Sequence, residues 1–105
     1  MDILIRENSW RAKLAARQLK AAQAAIVFRN VIHLWGVSKD SFLLNLSWTR
    51  QEVAHVYQYK KYGFVWFMLL YLFESARNGY YNNRFEAEAR SSEEDQTILE
   101  GIQFI

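Results

Sequence analysis

Ten consecutive apolar residues, Phe64 to Phe73, stand directly after Gly63 and ahead of a polar stretch that closes at Gly79. As a helix, ten residues rise about 15 Å, half of what a bilayer core requires, so the run is too short for a membrane span. It must find cover inside the molecule, or meet another subunit with its second face, because a stretch this apolar has no polar side to give to water. We therefore expect a helix whose burial supplies much of the core, at about 1.5–3 kcal/mol per large side chain removed from water.

How much core can form is set by length. The chain has 105 residues, of which 51% are apolar and 16% aromatic, enough for one core and too few for two. Residues 1–105 are expected to form a single domain. Cysteine is absent, which excludes a disulfide framework, thiolate metal ligands and cysteine catalysis, and leaves histidine and carboxylate as the only strong metal donors. Met1 to Trp10 carries Asp2, Arg6 and Glu7 with no apolar run of signal-peptide length, so a cytoplasmic location is expected.

The net charge of +2 conceals a gradient: Arg6, Arg11, Lys13, Arg17, Lys20 and Arg29 crowd the first third, and Glu86, Glu88, Glu93, Glu94, Asp95 and Glu100 the last. The basic residues alternate with Ala and Leu and have no aromatic stacking platform beyond Trp10. That pattern describes a solvated helix face, and no nucleic-acid partner is expected.

Four glycines and the absence of proline segment the chain. Residues 1–24 read as an N-terminal helical region, with Ser9 capping a helix from Trp10 to about Gln23 on the spacing of Leu14, Ala15, Leu19 and Ala22. Ala25 to Phe28 and Val31 to Trp35, separated by Arg29-Asn30, are rich in β-branched and aromatic residues and predict a hairpin or two short strands. Ser38 can cap a short helix through Leu44, and Ser47 one from Trp48 to Tyr62. A final helix is expected around Phe85 to Arg90. Residues 91–105 form a tail whose apolar end, Ile98, Leu99, Ile102, Phe104 and Ile105, predicts either a short helix completing the core or a segment docked in the chain's own cleft or on a neighbouring molecule. The fold class is accordingly α+β, a small sheet packed on helices.

One group of residues suggests chemistry. Gln51-Glu52-Val53-Ala54-His55 lies within the predicted 48–62 helix, where positions 51 and 55 share a face and Glu52 points beside them. That is H-E-x-x-H with its first letter changed; taken alone, a Glu-x-x-His match is a weak signal. The surroundings strengthen it. Arg50 to Tyr59, and after the apolar run Gly79-Tyr80-Tyr81-Asn82-Asn83-Arg84-Phe85-Glu86-Ala87-Glu88-Ala89-Arg90, together resemble small bacterial zincin-like proteins of the gluzincin type, with two motifs in the right order over roughly residues 25–90.

The resemblance implies a minimal zincin-like domain, in which a small sheet packs against an active-site helix and a later helix carries a glutamate ligand. It implies zinc held by His55 and Glu86, with Glu88 the second choice, Glu52 as general base, and a peptide or protein substrate drawn along an edge strand, here Val31 to Leu34. Arg90 stands where relatives place an aspartate. His33, within that strand, is expected to be structural or cleft-lining. Tyr80 and Tyr81 are candidates to stabilise an oxyanion, with packing the simpler role.

Gln51 occupies the position of the missing histidine ligand. An amide oxygen is a poor donor to zinc compared with imidazole, so zinc is expected to bind weakly or not at all, and peptidase activity to be impaired. Gln51 fits either a natural pseudoenzyme that keeps its cleft for peptides or a replacement in an active protein. A dimerisation module in which residues 64–73 form the interface of a homodimer is the alternative from a different class.

Overall fold

The computed structural model describes residues 1–105, and its frame is a four-stranded mixed sheet in the order β2-β3-β1-β4. Strands β2 (Ala24–Phe28) and β3 (Val31–Trp35) form the expected hairpin, with Ala24 opposite Trp35 and Phe28 opposite Val31. Arg29 takes the left-handed conformation at the turn, φ 57°. β1 (Asp2–Arg6) lies parallel to β3, and β4 (Gln103–Phe104) parallel to β1 on its far side.

Two expectations are corrected by this order. Val31 to Leu34 lies inside the sheet, and the free edge beside the helices is β2. The N-terminal region begins with a strand: Ile3 and Ile5 alternate inward with Asp2, Leu4 and Arg6, a half-buried period of two too short to compete with the helical pattern that follows it.

Helix α1 (Trp10–Leu19) ends four residues before the expected Gln23, at Lys20 in the left-handed conformation. Ser9 precedes it without a side-chain cap, because its hydroxyl is hydrogen-bonded to His33 Nδ1 at 2.8 Å. Gly36 must be glycine: with φ at +78°, a Cβ there would stand 2.3 Å from the Ala22 carbonyl oxygen. Ser38 caps α2 (Lys39–Leu44) as expected, whereas α3 (Leu46–Tyr62) starts two residues early because Asn45, rather than Ser47, accepts from the Trp48 N–H.

The apolar run forms the first half of α4 (Phe64–Asn82), which Gly79 breaks internally with φ 80° and ψ 167°. Its burial differs from expectation. Only Phe67 is fully buried, edge-on to Tyr59 at 4.5 Å and to Phe85 at 5.1 Å, while Val65, Trp66, Leu69, Leu72 and Phe73 are all more than half exposed. Most of the core instead comes from Ile3, Ile32 and Leu34 of the sheet, Phe42 of α2, and Val53 and Val56 of α3. A helix lying on one side of α3 can hide one stripe, and the run is apolar all round.

Asn83, fully buried, fastens the last helix, α5 (Arg84–Ser91). Its Oδ1 accepts from the Phe85 N–H at 2.8 Å, and its amide donates to the Tyr71 carbonyl at 3.0 Å and to Ser75 Oγ at 2.8 Å. A 3-10 turn, Ser92–Glu94, then leads into the tail. The tail does not enter the cleft and completes the core without an α-helix: Ile98, Leu99, Ile102 and Phe104 pack against it, and β4 adds to the β1 edge, on the opposite side of the sheet from β2. The architecture is the expected α+β class, and no helix is long and apolar enough to cross a membrane.

Candidate functional site

α3 and α5 face each other, and their inward residues form a buried polar cluster. His55 projects from the middle of α3 to place Nε2 3.3 Å from Glu86 Oε1 on α5, with both side chains less than a tenth exposed. The pairing rests on Asn83: by capping α5 and tying it to α4, it fixes the helix whose first turn carries Glu86. Tyr71 of α4 donates to the other oxygen of Glu86 at 2.5 Å, and Tyr80 is turned toward the same carboxylate.

Gln58, one turn after His55, sets the imidazole tautomer. Its amide nitrogen donates to the Phe85 carbonyl and to Glu88 Oε1, both at 3.0 Å, so its oxygen is the atom that meets His55 Nδ1 at 2.8 Å. An amide oxygen only accepts; Nδ1 therefore carries a proton and Nε2 faces Glu86. The arrangement separates the two glutamates left open by the sequence. Glu86 meets the histidine directly, and Glu88, on the exposed side, holds Gln58. The spacing of Gln58 from His55 is readable in the sequence as a shared helix face; its bonds to α5 are not.

Glu52 is buried beside this pair, and its Oε2 has no hydrogen-bond partner. Burial, together with the charge of Glu86, pushes its carboxyl up to about 7 against the pull of His55. For His55, burial opposes the charged form, but the hydrogen bond to Glu86 and the charge of Glu52 outweigh it and raise the imidazole to about 9. Glu86 is held below the usual carboxylate range: burial works against it, and the bonds from His55, Tyr71 and Tyr80 overcome burial. Burial and the neighbouring Glu86 push the Tyr71 and Tyr80 phenols well up, which keeps both as donors.

These groups line a cleft of about 240 Å³ whose remaining walls are mostly apolar. One wall is the free-edge strand β2, from Ala25 to Phe28; the others come from Leu19 of α1, Tyr59 of α3, and Phe67, Met68 and Leu72 of α4. The other residues singled out by sequence lie elsewhere. His33 is buried against Ser9 and Phe28 and does not line this cleft. Tyr81 points outward under the Arg90 guanidinium, which sits 4.1 Å from its ring and donates to its carbonyl. Arg90 thus supports Tyr81, and Tyr71 and Tyr80 support Glu86. Gln51, one turn before His55, is half-buried and outside the cleft walls.

The donor set can be tested against zinc. Two ligands bound at 2.0–2.1 Å in a tetrahedral centre lie about 3.3 Å apart, so the spacing of His55 and Glu86 suits adjacent ligands as well as an ion pair. The fixed Nδ1–H of His55 is the orientation a metal-binding imidazole requires. The set is nonetheless incomplete: although Glu52 lies beside His55 and Glu86, no three His, Asp or Glu side chains are arranged to hold one metal ion, and position 51 offers a neutral amide. These residues do not fit a catalytic zinc centre with three strong protein ligands. No family model matches the chain, and no curated protein or solved structure is detectably similar to it.

Proposed function

We propose that this chain is a gluzincin-type metallopeptidase scaffold with an impaired metal centre, which keeps a cleft for an extended peptide. The observation that carries the reading is the meeting of His55 and Glu86, from two separate helices, at 3.3 Å in the wall of a cleft bounded by a free strand edge. A peptide laid along β2 gains main-chain hydrogen bonds from the unpaired edge, and the apolar walls receive its side chains. Glu52, with an unsatisfied buried oxygen beside His55, stands where the motif places a general base. Because position 51 lacks an imidazole, the chain as it stands serves as a peptide-binding module with at most residual hydrolysis.

Assay of a mixed peptide library with added zinc tests this reading. Gln51→His is expected to raise hydrolysis, and Glu52→Gln in that background to abolish the gain. If the chain binds no peptide and the Gln51→His variant cleaves none, the proposal fails.

A further inference from the structure

The outer face of α4 is the largest feature that the cleft does not explain. At 100° per residue, Val65, Trp66, Leu69, Leu72 and Phe73 fall within an arc of about 120°, and each is between 55% and 68% exposed. Five large side chains so placed offer on the order of 500 Å² of contiguous apolar surface, at the upper end of what a soluble monomer leaves in water. α4 itself adds no acid to the face: Glu74, its one acidic residue, lies nearly opposite the stripe, mostly buried and paired with Arg84.

Basic residues stand at both ends of the stripe. Lys60 and Lys61 precede it, Arg77 follows it, and all three are exposed. Leu19 of α1 and Leu72 of α4 are both exposed and both line the cleft, and Arg17 and Lys20 are exposed within one turn of Leu19. This arrangement of charge discriminates between occupants. In a two-fold pair of antiparallel α4 helices, the Lys60 and Lys61 end of one copy would approach the Arg77 end of the other, cation against cation. An anionic lipid surface complements every one of these charges while the apolar face enters the headgroup boundary. Trp66 is of the residue type favoured at that depth.

We propose that α4 docks the protein on an anionic membrane surface, with its apolar face in the lipid interface, Lys60, Lys61, Arg77, Arg17 and Lys20 on the phosphates, and the cleft mouth beside the bilayer. The proposal concerns peripheral attachment, and it holds whether or not the cleft binds peptide.

Flotation of the full chain with vesicles of phosphatidylcholine, with and without about a third phosphatidylglycerol, is the test. Binding is expected on the anionic vesicles alone and should weaken as salt shortens the Debye length to about 3 Å near 1 M. Phe73→Glu together with Leu69→Glu should lower binding more than tenfold with the thermal midpoint unchanged. Lys60→Glu with Lys61→Glu should weaken it without altering the apolar face. Absence of binding to anionic vesicles overturns the proposal, and so does equal binding to neutral ones. Self-association in sedimentation that Phe73→Glu abolishes, with no vesicle binding, would assign the face to a second copy instead.

Discussion

α3 and the outer half of α4 are inverted with respect to each other. α3 carries Thr49, Glu52, His55 and Gln58 into the interior, while α4, the most apolar helix of the chain, leaves five large apolar side chains in water. Burying polar groups costs free energy unless they find partners, and exposing apolar ones forgoes about 25 cal/mol per Å². A chain arranged for stability alone would do neither. His55, Gln58 and Glu86 offset the cost with a closed set of hydrogen bonds, whereas Glu52 Oε2 and the α4 stripe are left unsatisfied by the chain itself. Glu52 lines the cleft and the stripe forms a surface, which is where departures from local consistency are expected in a functional protein.

Substitutions on the two helices should have very different effects. The largest effect is expected at Phe67, the one fully buried residue of α4: Phe67→Ala should cost about 3–5 kcal/mol in urea unfolding, since it empties the contact among Tyr59, Phe67 and Phe85. A cost below about 1 kcal/mol would mean that α4 is not anchored there.

A smaller effect is expected at Glu52. Its folded carboxyl titrates near 7 against an ordinary value of 4.5, so the folded state holds the proton more tightly. The stability tied to that proton is fully present below pH 4.5 and is lost as pH rises toward 7 and beyond. Each unit corresponds to about 1.4 kcal/mol, and with partial relaxation Glu52→Gln should stabilise the metal-free protein by about 1–3 kcal/mol at pH 8 and by little at pH 4. A variant with unchanged pH dependence between 4.5 and 7 would place the titration elsewhere. The smallest effect belongs to Leu69→Ser, half-exposed on the stripe, which should change stability by no more than about 0.5 kcal/mol; a loss of several kcal/mol would show that the face is covered in the free protein.

Local pattern made the hairpin legible, because β-branched residues around Arg29-Asn30 pair with near neighbours. β1 and β4 were not legible: each is short, and each is defined by a partner roughly thirty or a hundred residues away, a kind of pairing that leaves little trace in a five-residue window. The i, i+4 relation of positions 51 and 55 followed from helix geometry alone, and Glu86 from the resemblance of its segment. Gln58, Tyr71 and Asn83 escaped notice because their roles depend on how α3, α4 and α5 approach one another. The α4 run gave its helix and its apolarity, but an all-apolar helix carries no mark of which stripe the fold will cover.

The proposed function makes residue 51 the missing donor beside His55 and Glu86, and calorimetric titration with zinc of the chain and of Gln51→His tests that assignment. Position 51 shares the α3 face with His55 and lies in a helix that accepts either residue, so the substitution asks for no backbone change. Loss of a group that merely orients a ligand costs about 10–100-fold in metal affinity, and loss of a ligand should cost more. Weak zinc binding is expected for the chain as it stands and binding more than about 100-fold tighter for the Gln51→His variant, whereas equal affinity in the two would mean that residue 51 does not face the site.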